Sequence, residues 1–418
     1  MNVYGEEVRG REYVTAVYHM RLPAGEDILK KAAGMAVGQT VGTWIPVPGI
    51  TEEMRERCMG KVIRVFDVPS CDLSGQSGDA QRHYLVEIAY PAVNLSGDFP
   101  LLLTVLLGND ASTSAQVKLL DIEFPEKFIS GFRGPGFGVE GIRKLLNVGR
   151  RPLLLTMIKP CTGLKPQEGA GLFYQAALGG VDLIKDDELL GNMEYSRPWE
   201  RVRYFRKAAE AAYERTGKRA VYIVNVTDGA GTVQDTLARV LEAGAEMVMA
   251  NYAALGYSLF REVAENCPVP VLAHNAGAGM FYEGVYSGMS SPLAAGKLVR
   301  LAGADMVLVN TPYGGYPLEY QKYIQILQKL LLPYYNVKSS FPVIGGGVHP
   351  GMVSHYVEEV GNDMILAAGG AVFGHPGGAK AGVRAMADAL TAAMMKIPVQ
   401  AAAKESAELS AALKCWNV

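Results

Sequence analysis

A lysine and three carboxylates stand in a row in this chain, at Lys185, Asp186, Asp187 and Glu188, directly after the apolar residues of the segment VDLI. In a surface loop such a run would be a solvated charge cluster, but here it continues an apolar strand-like segment. Asp187 and Glu188 carry hard oxygen donors of the kind that Mg²⁺ prefers. Lys185 could act as their counter-ion, or its amine could capture CO₂ as a carbamate and become a third oxygen ligand. The row therefore predicts a magnesium site.

Glycine is a second chemical signal, because 48 of the 418 residues are glycine, against a usual share of about 7%. Two clusters, Gly345–Gly346–Gly347 and Gly369–Gly370, each follow an apolar run. Small residues let backbone N–H groups approach the oxygens of a phosphate. The clusters predict a phosphate site, with tight turns as the alternative.

Further polar residues end other apolar runs of the chain. They are Lys159, Asn225, Asn251, His274 with Asn275, and Asn310. Any one of them could be an ordinary hydrogen-bonding residue at a strand end. A whole set of this kind is hard to explain by packing and predicts that the run ends line one site.

Eight short, β-rich apolar runs recur after residue 150, with helical stretches such as Trp199–Thr216 and Leu318–Leu331 between them. The runs are Pro152–Lys159, Val181–Asp187, Ala220–Thr227, Ala245–Tyr252, Pro270–Ala276, Ala304–Asn310, Pro342–Gly347 and Met364–Gly370. Continuous apolar strands that alternate with helices are typical of a parallel sheet, and eight of them predict a (β/α)₈ (TIM) barrel. Chemistry in that fold lies at the carboxyl ends of the strands, where the polar residues above stand. Glycine turns after the seventh and eighth strands are the usual phosphate cradle of such barrels.

The first 135 residues have a different pattern. Strand-like stretches at Tyr13–Met20, Lys61–Val68, His83–Tyr90 and Gln116–Phe124 accompany a predicted helix at Glu26–Ala36 and a buried apolar run at Pro100–Leu107. This mixture predicts an α+β (ferredoxin-like) domain with helices on one face of an antiparallel sheet. The glycine-rich segment Gly131–Val139 marks the boundary, so we expect domains at residues 1–135 and 136–418.

Composition excludes several classes of function. The 40 basic and 42 acidic residues give a net charge of −2, so no broad basic surface is available for nucleic acid or acidic membranes. Apolar runs stay shorter than the roughly 20 residues of a membrane span. The five scattered cysteines form no CxxC pair, which argues against a zinc site or a disulfide framework. We expect a cytoplasmic globular protein.

The residues at these strand ends identify a family. Over almost its whole length the sequence resembles the ribulose-bisphosphate carboxylase (RuBisCO) large-chain superfamily, in its form IV or RuBisCO-like group. The motifs that carry the resemblance are GTW at Gly42–Trp44, LLGN at Leu106–Asn109, GRRPLLLTMIKP at Gly149–Pro160, GGVDLIKDDE at Gly179–Glu188 and AGGAVFGHPGG at Ala368–Gly378.

The resemblance implies a role for each matching residue. Lys185 would be the carbamylated lysine, with Asp187 and Glu188 as the other Mg²⁺ ligands. Lys159 would be the acid/base lysine, and His274 would contact substrate hydroxyls. One phosphate would lie at Gly347, Gly369 and Gly370, with Thr43, Trp44 and Asn109 reaching in from a neighbouring subunit. The resemblance therefore also implies a homodimer with shared active sites, or an assembly of dimers.

Departures from the family pattern bear on the reaction. Cys161 stands where carboxylases have a second lysine, and Gly38 stands where the neighbour's glutamate is expected. The segment Thr311–Pro317 (TPYGGYP), where a flexible loop normally offers a lysine, contains none. Without that cation nothing stabilises the carboxylate formed by CO₂ capture. Asn275, Asn310 and Gly345 replace the arginine, histidine and serine of the distal phosphate site, so a second phosphate would lack charged partners.

The sequence therefore predicts an enzyme of Mg²⁺-dependent enolate chemistry, on a monophosphorylated keto sugar or keto sugar acid, that does not fix CO₂. We expect a decarboxylase of the 3-oxo-isoapionate 4-phosphate type. The first alternative is the 2,3-diketo-5-methylthiopentyl-1-phosphate enolase of methionine salvage, whose base would be a lysine at the position of Asn109. The second is a silent binding or regulatory barrel, against which the retention of Lys185, Asp187 and Glu188 counts.

Overall fold

The computed structural model describes residues 2–43, 47–70, 72, 80–113 and 116–417. The chain divides into two compact units. The first comprises residues 1–133 and 278–294, and the second comprises residues 134–277 and 295–418. The predicted boundary at residue 135 stays a prediction.

The first unit contains an antiparallel sheet, which within the described residues has four strands in the order β2-β3-β1-β4. The strands are β1 (Tyr13–Pro23), β2 (Lys61–Val68), β3 (Gln81–Pro91) and β4 (Gln116–Glu123). Alternate residues of β1, such as Val14, Ala16 and Tyr18, are fully buried, which is the pattern of a sheet with one face packed on a core. The predicted α+β domain is confirmed.

Short helices accompany this sheet. They span Gly5–Val8, Ile28–Gly38, Glu52–Cys58, Phe99–Leu106, Asn109–Ser112, Glu126–Ile129 and Gly279–Tyr282, with a 3₁₀ turn at Ala92–Asn94. The apolar run at residues 100–107 is thus helical. Its N-cap is Asp98, whose carboxylate accepts a hydrogen bond from the Phe99 N–H at 2.7 Å, and Pro100 occupies the first turn, where its missing N–H costs nothing.

The second unit contains a closed barrel, which in the described part of the chain has eight parallel strands. They are β5 (Leu153–Met157), β6 (Leu183–Lys185), β7 (Val221–Asn225), β8 (Met247–Asn251), β9 (Val271–His274), β10 (Met306–Asn310), β11 (Phe341–Gly345) and β12 (Ile365–Ala367). Pairing of β12 with β5 closes the barrel. Seven strands fall within predicted runs, and β11 begins one residue before the run Pro342–Gly347. The predicted (β/α)₈ barrel is confirmed.

Helices cover the strands. They span Gly138–Leu146, Pro166–Ala177, Pro198–Thr216, Val233–Glu242, Tyr252–Asn266, Leu298–Leu301, Tyr320–Leu331, Val353–Val360, Gly370–Phe373, Gly378–Met394, Val399–Ala402 and Ala407–Cys415, with a π-helical turn at Leu293–Lys297 and a 3₁₀ turn at Pro350–Met352. The longest begins with Pro198 in its first turn and ends at Gly217, which adopts the left-handed conformation; both are common helix signals. No helix among the described residues is long and apolar enough to cross a membrane.

Candidate active site

The barrel core explains why the polar strand ends come together. Alternate residues of the strands form one buried cluster, which includes Leu153, Leu155, Leu183, Val221, Ile223, Met247, Met249, Leu272, Met306, Leu308, Phe341, Val343, Ile365 and Ala367. Side chains two residues apart point to the same side of a strand. The next inward position therefore holds the residues Lys159 (two past Met157), Lys185, Asn225, Asn251, His274, Asn310, Gly345 and Gly369. The polar and glycine ends of the eight strands therefore form one layer at the carboxyl end of the barrel.

Lys185 is fully buried in this layer. Its Nζ donates a hydrogen bond to the Asp186 carbonyl oxygen at 2.9 Å and lies 3.5 Å from Glu188 Oε2. Burial lowers the pKa of Lys185, against the opposing effect of the neighbouring carboxylates. A lysine reacts as a nucleophile in its neutral form, and burial makes this form easier to reach because the buried amine loses its proton readily.

His274 and Glu188 form a second contact of the layer. The Ala276 N–H donates to His274 Nδ1 at 3.1 Å, so in the neutral ring the proton is on Nε2. That nitrogen lies 3.2 Å from Glu188 Oε2 and donates to it. Burial lowers the pKa of His274, in agreement with a neutral ring. For Glu188, burial acts to raise the pKa, but the His274 hydrogen bond and nearby positive charge hold it well below its usual range.

Lys159 contacts Asp187 at the side of the same layer. Its Nζ donates to Asp187 Oδ2 at 2.7 Å and lies 2.9 Å from Cys161 Sγ. Partial burial acts to lower the pKa of Lys159, but the bonds to Asp187 and Cys161 raise it overall. The lysine is therefore charged. Two sets of contacts, Lys159 with Asp187 and Lys185 with Glu188 and His274, thus start from the adjacent residues Asp187 and Glu188.

Asp186 has a different surrounding from the acids that follow it. It is buried, and its Oδ2 accepts hydrogen bonds from Arg201 Nη2 at 3.0 Å and from the Asn225 N–H at 2.9 Å. Its Oδ1 accepts from the Tyr222 hydroxyl at 2.6 Å. Because all these partners already occupy its oxygens, the buried Asp186 carboxylate fixes the strand ends in place and does not bind a ligand.

Asn225 and Asn251 were recognised at strand ends in the sequence but had no assigned role. Both side-chain amides donate to the Glu188 carbonyl oxygen, at 3.1 and 3.4 Å. Asn251 Oδ1 is buried and has no hydrogen-bond partner among the residues that the structure describes. The two amides hold the backbone from which the Glu188 side chain extends. The feature of the sequence that could have indicated this role is their inward position at the ends of β7 and β8.

The glycine clusters follow β11 and β12. Gly346 and Gly347 adopt left-handed φ angles of 87° and 94°, which favour glycine. A Cβ at Gly369 would lie 2.3 Å from Met157 Sδ, whereas a Cβ at Gly370 would meet nothing within 4 Å. Open space beside Gly370 fits a ligand position, and a groove of about 580 Å³ lined by Gly370 and Lys159, among others, lies next to it.

The remaining predicted residues are placed as follows. Asn275 Nδ2 donates to Asn310 Oδ1 at 3.2 Å, so these two neutral amides lie together at the ends of β9 and β10. Gly345 pairs with Asn310 in the sheet. Thr43 and Asn109 belong to the first unit, and Asn109 begins the helix Asn109–Ser112. Trp44 lies outside the described residues. The roles of all of them stay predictions.

The oxygen donors for a magnesium ion would come partly from the carboxylates of Asp187 and Glu188 and partly from a modified Lys185. Within the described residues, no three His, Cys, Asp or Glu side chains are grouped as a metal site. The Glu188 carboxylate instead lies 3.5 Å from the buried Lys185 amine, and the Asp187 carboxylate contacts the Lys159 amine at 2.7 Å. Conversion of that amine to a carbamate would replace a competing cation with a third hard oxygen donor, which is the ligand type that Mg²⁺ prefers.

The chain combines an α+β domain with a (β/α)₈ barrel that carries a lysine–carboxylate cluster at its rim. These features define a class of barrel enzymes, and comparison with known proteins identifies the family. Residues 138–416 match the model of the ribulose bisphosphate carboxylase large chain, catalytic domain, and residues 7–128 match that of its N-terminal domain. This chain belongs to the RuBisCO large-chain family, as its motifs predicted.

Several relatives of this chain are RuBisCO-like proteins. A ribulose bisphosphate carboxylase-like protein of Archaeoglobus fulgidus is 41% identical, over 93% of this chain and 89% of the relative. A 2,3-diketo-5-methylthiopentyl-1-phosphate enolase of Geobacillus kaustophilus is 37% identical, over 94% and 95%. The crystal structure of a rubisco-like protein (MtnW) from Alicyclobacillus acidocaldarius superposes with a TM-score of 0.89 at 35% identity, covering 97% of this chain and all of that one.

Proposed function

We propose that this protein forms the enolate of a monophosphorylated keto compound and does not fix CO₂. The observation that carries the proposal is the group of side chains at the carboxyl end of the barrel in which Lys159 contacts Asp187, and Lys185 and His274 both contact Glu188. The group retains the residues for enolate formation. The positions expected to bind a second phosphate hold the neutral residues Asn275, Asn310 and Gly345, and the segment Thr311–Pro317, where a carboxylase would offer a lysine, contains none.

Each residue of the group has a task in this proposal. Lys185 as a carbamate, Asp187 and Glu188 would hold Mg²⁺, which polarises a substrate carbonyl when bound. His274 presents an N–H from Nε2 that can orient a substrate oxygen once it exchanges Glu188 for substrate. Lys159 is charged and can donate a proton to an oxygen or carbon of the enolate. Backbone N–H groups around Gly347, Gly369 and Gly370 would bind the one phosphate.

Two reactions give such an enolate. The first that we propose is removal of an α-proton, which the Lys185 carbamate would accept, because this chain is 37% identical to a protein named as an enolase. Loss of CO₂ from a keto acid, as in a 3-oxo-isoapionate 4-phosphate decarboxylase, is the second candidate. One observation favours it: Asn109 stands where the family resemblance implies the enolase's lysine base, and departure of CO₂ needs no such base.

Proton exchange and CO₂ release separate the two reactions. The protein is incubated with 2,3-diketo-5-methylthiopentyl 1-phosphate or 3-oxo-isoapionate 4-phosphate in D₂O with Mg²⁺ and bicarbonate. Loss of the α-proton signal by NMR without CO₂ supports the enolase, and CO₂ release supports the decarboxylase. If no phosphorylated keto compound shows either proton loss or CO₂ release, the enzyme proposal is excluded. Fixation of CO₂ on ribulose 1,5-bisphosphate would exclude the part of the proposal that denies carboxylase activity.

The variant Lys185→Ala tests the metal site directly. It is expected to lose activity and to lose bicarbonate-dependent Mg²⁺ binding, measured by calorimetry, because the third ligand can no longer form. Lys207→Ala removes an exposed lysine of the helix Pro198–Thr216 and is the matched control. Wild-type Mg²⁺ binding in the Lys185 variant would refute the carbamate role. A homodimeric state and a cytoplasmic location remain predictions.

A further inference from the structure

The loop that follows β10 forms a closed turn within its own backbone. It runs from Thr311 to Pro317, and the Leu318 N–H after it donates to the Thr311 carbonyl oxygen at 3.2 Å. The Tyr313 N–H donates to the Thr311 hydroxyl oxygen at 3.1 Å, and the Tyr356 hydroxyl lies 3.3 Å from the same oxygen. The base of the loop is thereby joined to the helix Val353–Val360.

Tyr313 makes the main side-chain contact of the loop. Its hydroxyl donates to Glu359 Oε1 at 2.8 Å, and its ring lies edge-on to His355 with the ring centres 4.7 Å apart. The Glu359 side chain is only 8% exposed, so a hydrogen bond to it is stronger than one in water. Burial and the Glu359 carboxylate raise the pKa of Tyr313 to about 12, and the hydroxyl therefore keeps its proton at physiological pH.

The tip of this loop rests on the glycine turn that follows β11. A Cβ added at Gly314 would lie 1.6 Å from the Gly346 carbonyl oxygen, and a Cβ at Gly347 would lie 2.8 Å from the Gly314 Cα. The Thr311 hydroxyl also lies 3.5 Å from the Gly346 carbonyl oxygen. The two backbones are thus in direct contact, and movement of the loop would release the turn.

We propose that Tyr313 and Glu359 form a latch that fixes the loop after β10 on the Gly345–Gly347 turn and so positions that turn to bind the substrate's phosphate. Both are positioning residues, because neither touches the reacting atoms. The proposal rests on the proposed function in one respect, the phosphate at Gly347. The latch consists of a neutral and an acidic side chain, so it offers no positive charge to the phosphate. The loop acts only by fixing the position of the glycine turn. The site is then shaped before substrate arrives.

Two measurements on the full-length protein test the latch. Amide hydrogen exchange, followed by mass spectrometry, reports on the loop and on the glycine turn separately. Binding of inorganic phosphate, followed by calorimetry, reports on the site. In Tyr313→Phe we expect exchange at residues 311–317 and 345–349 to rise at least fivefold and phosphate binding to weaken about tenfold. With substrate, KM should rise in proportion while kcat changes less than twofold.

Two further variants make the result specific. Tyr316→Phe makes the same chemical change in the same loop, but Tyr316 is 80% exposed, so exchange and binding should stay at wild-type values. Glu359→Gln keeps a carbonyl oxygen that can accept from Tyr313 and should behave closer to wild type than Glu359→Leu. This rescue would not follow if Glu359 served only to fill space.

The outcomes distinguish the latch from the function on which it rests. Wild-type exchange in Tyr313→Phe would overturn the latch, as would faster exchange in the loop with none in the turn. If the wild-type protein binds no phosphate, the phosphate site of the proposed function fails, while the exchange measurement still decides whether Tyr313 holds the turn.

Discussion

Asp186 and Asp187 are adjacent acids with opposite surroundings. Asp186 is buried with Arg201, whose side chain is 1% exposed, and with the Tyr222 hydroxyl. Asp187 meets Lys159, whose side chain is 38% exposed and can be solvated without its partner. Successive side chains of an extended chain point in opposite directions. One acid therefore stabilises the barrel and the next serves the site.

Alanine variants of the two acids should therefore separate stability from activity. Asp186→Ala leaves the Arg201 cation buried without its partner and is expected to lower the free energy of unfolding by about 3–5 kcal/mol. Asp187→Ala leaves Lys159, whose side chain solvent can reach, and is expected to destabilise the protein less than Asp186→Ala yet to abolish Mg²⁺-dependent activity. Urea denaturation and the exchange assay measure the two effects, and equal destabilisation by both variants would contradict this division.

Sequence patterns predicted much of the candidate site at this scale. Lys185, Asn225, Asn251, His274 and Asn310 each interrupt an apolar strand at its carboxyl end, which is visible without a structure. The hydrogen-bond partners were not predictable in the same way. Cys161 beside Lys159 and the two amides on the Glu188 carbonyl depend on side-chain directions and on distances across the barrel, which spacing along the chain does not contain.

At the level of elements, the helix Gly378–Met394 supports the short helix that begins at Gly370. Gly382 faces that short helix so closely that a Cβ would lie 2.3 Å from the Val372 carbonyl oxygen. Since backbone cannot move aside as a side-chain end can, only glycine allows this approach. The position of Gly370 thus depends on a residue twelve positions further along the chain.

Two glycine-to-alanine changes in helices should have opposite effects. Gly382→Ala is expected to destabilise the protein by about 1–3 kcal/mol through overpacking and to weaken phosphate binding. Gly171→Ala, in the helix Pro166–Ala177, meets nothing within 4 Å and should stabilise by about 0.5–1 kcal/mol. Chemical denaturation and phosphate calorimetry provide the comparison. An unchanged stability in Gly382→Ala would show that the short helix can shift without cost.

Element types were predicted best where the hydrophobic pattern was periodic. The eight barrel strands carry continuous apolar runs and were predicted individually. The run at residues 100–107 is apolar nearly throughout, so its pattern does not distinguish a strand from the helix Phe99–Leu106 that the structure shows. The latch was beyond prediction for another reason. Tyr313 and Glu359 are 46 residues apart in sequence, and only the packing of the loop on the helix Val353–Val360 joins them.

On the scale of the whole molecule, the predicted site residues are divided between the two compact units. Lys159, Lys185 and His274 belong to the second unit, whereas Thr43 and Asn109 belong to the first. The family resemblance predicts that the first-unit residues complete the site of a neighbouring subunit. In a two-fold symmetric dimer each subunit would then contribute one barrel and one first unit to two equivalent sites.

Mixing of two inactive variants tests shared sites without any assumption about the substrate's carbon skeleton. Lys185→Ala lacks the barrel part of the site and Asn109→Ala alters the first-unit part. A heterodimer of the two has one site in which both parts are intact and one in which both are altered. Random reassembly makes half of the dimers heterodimers, so about a quarter of all sites should regain full activity. Each variant mixed with itself is the control. Recovery near a quarter of wild-type exchange supports shared sites, whereas activity no higher than the average of the two controls would show that each subunit works with its own residues alone.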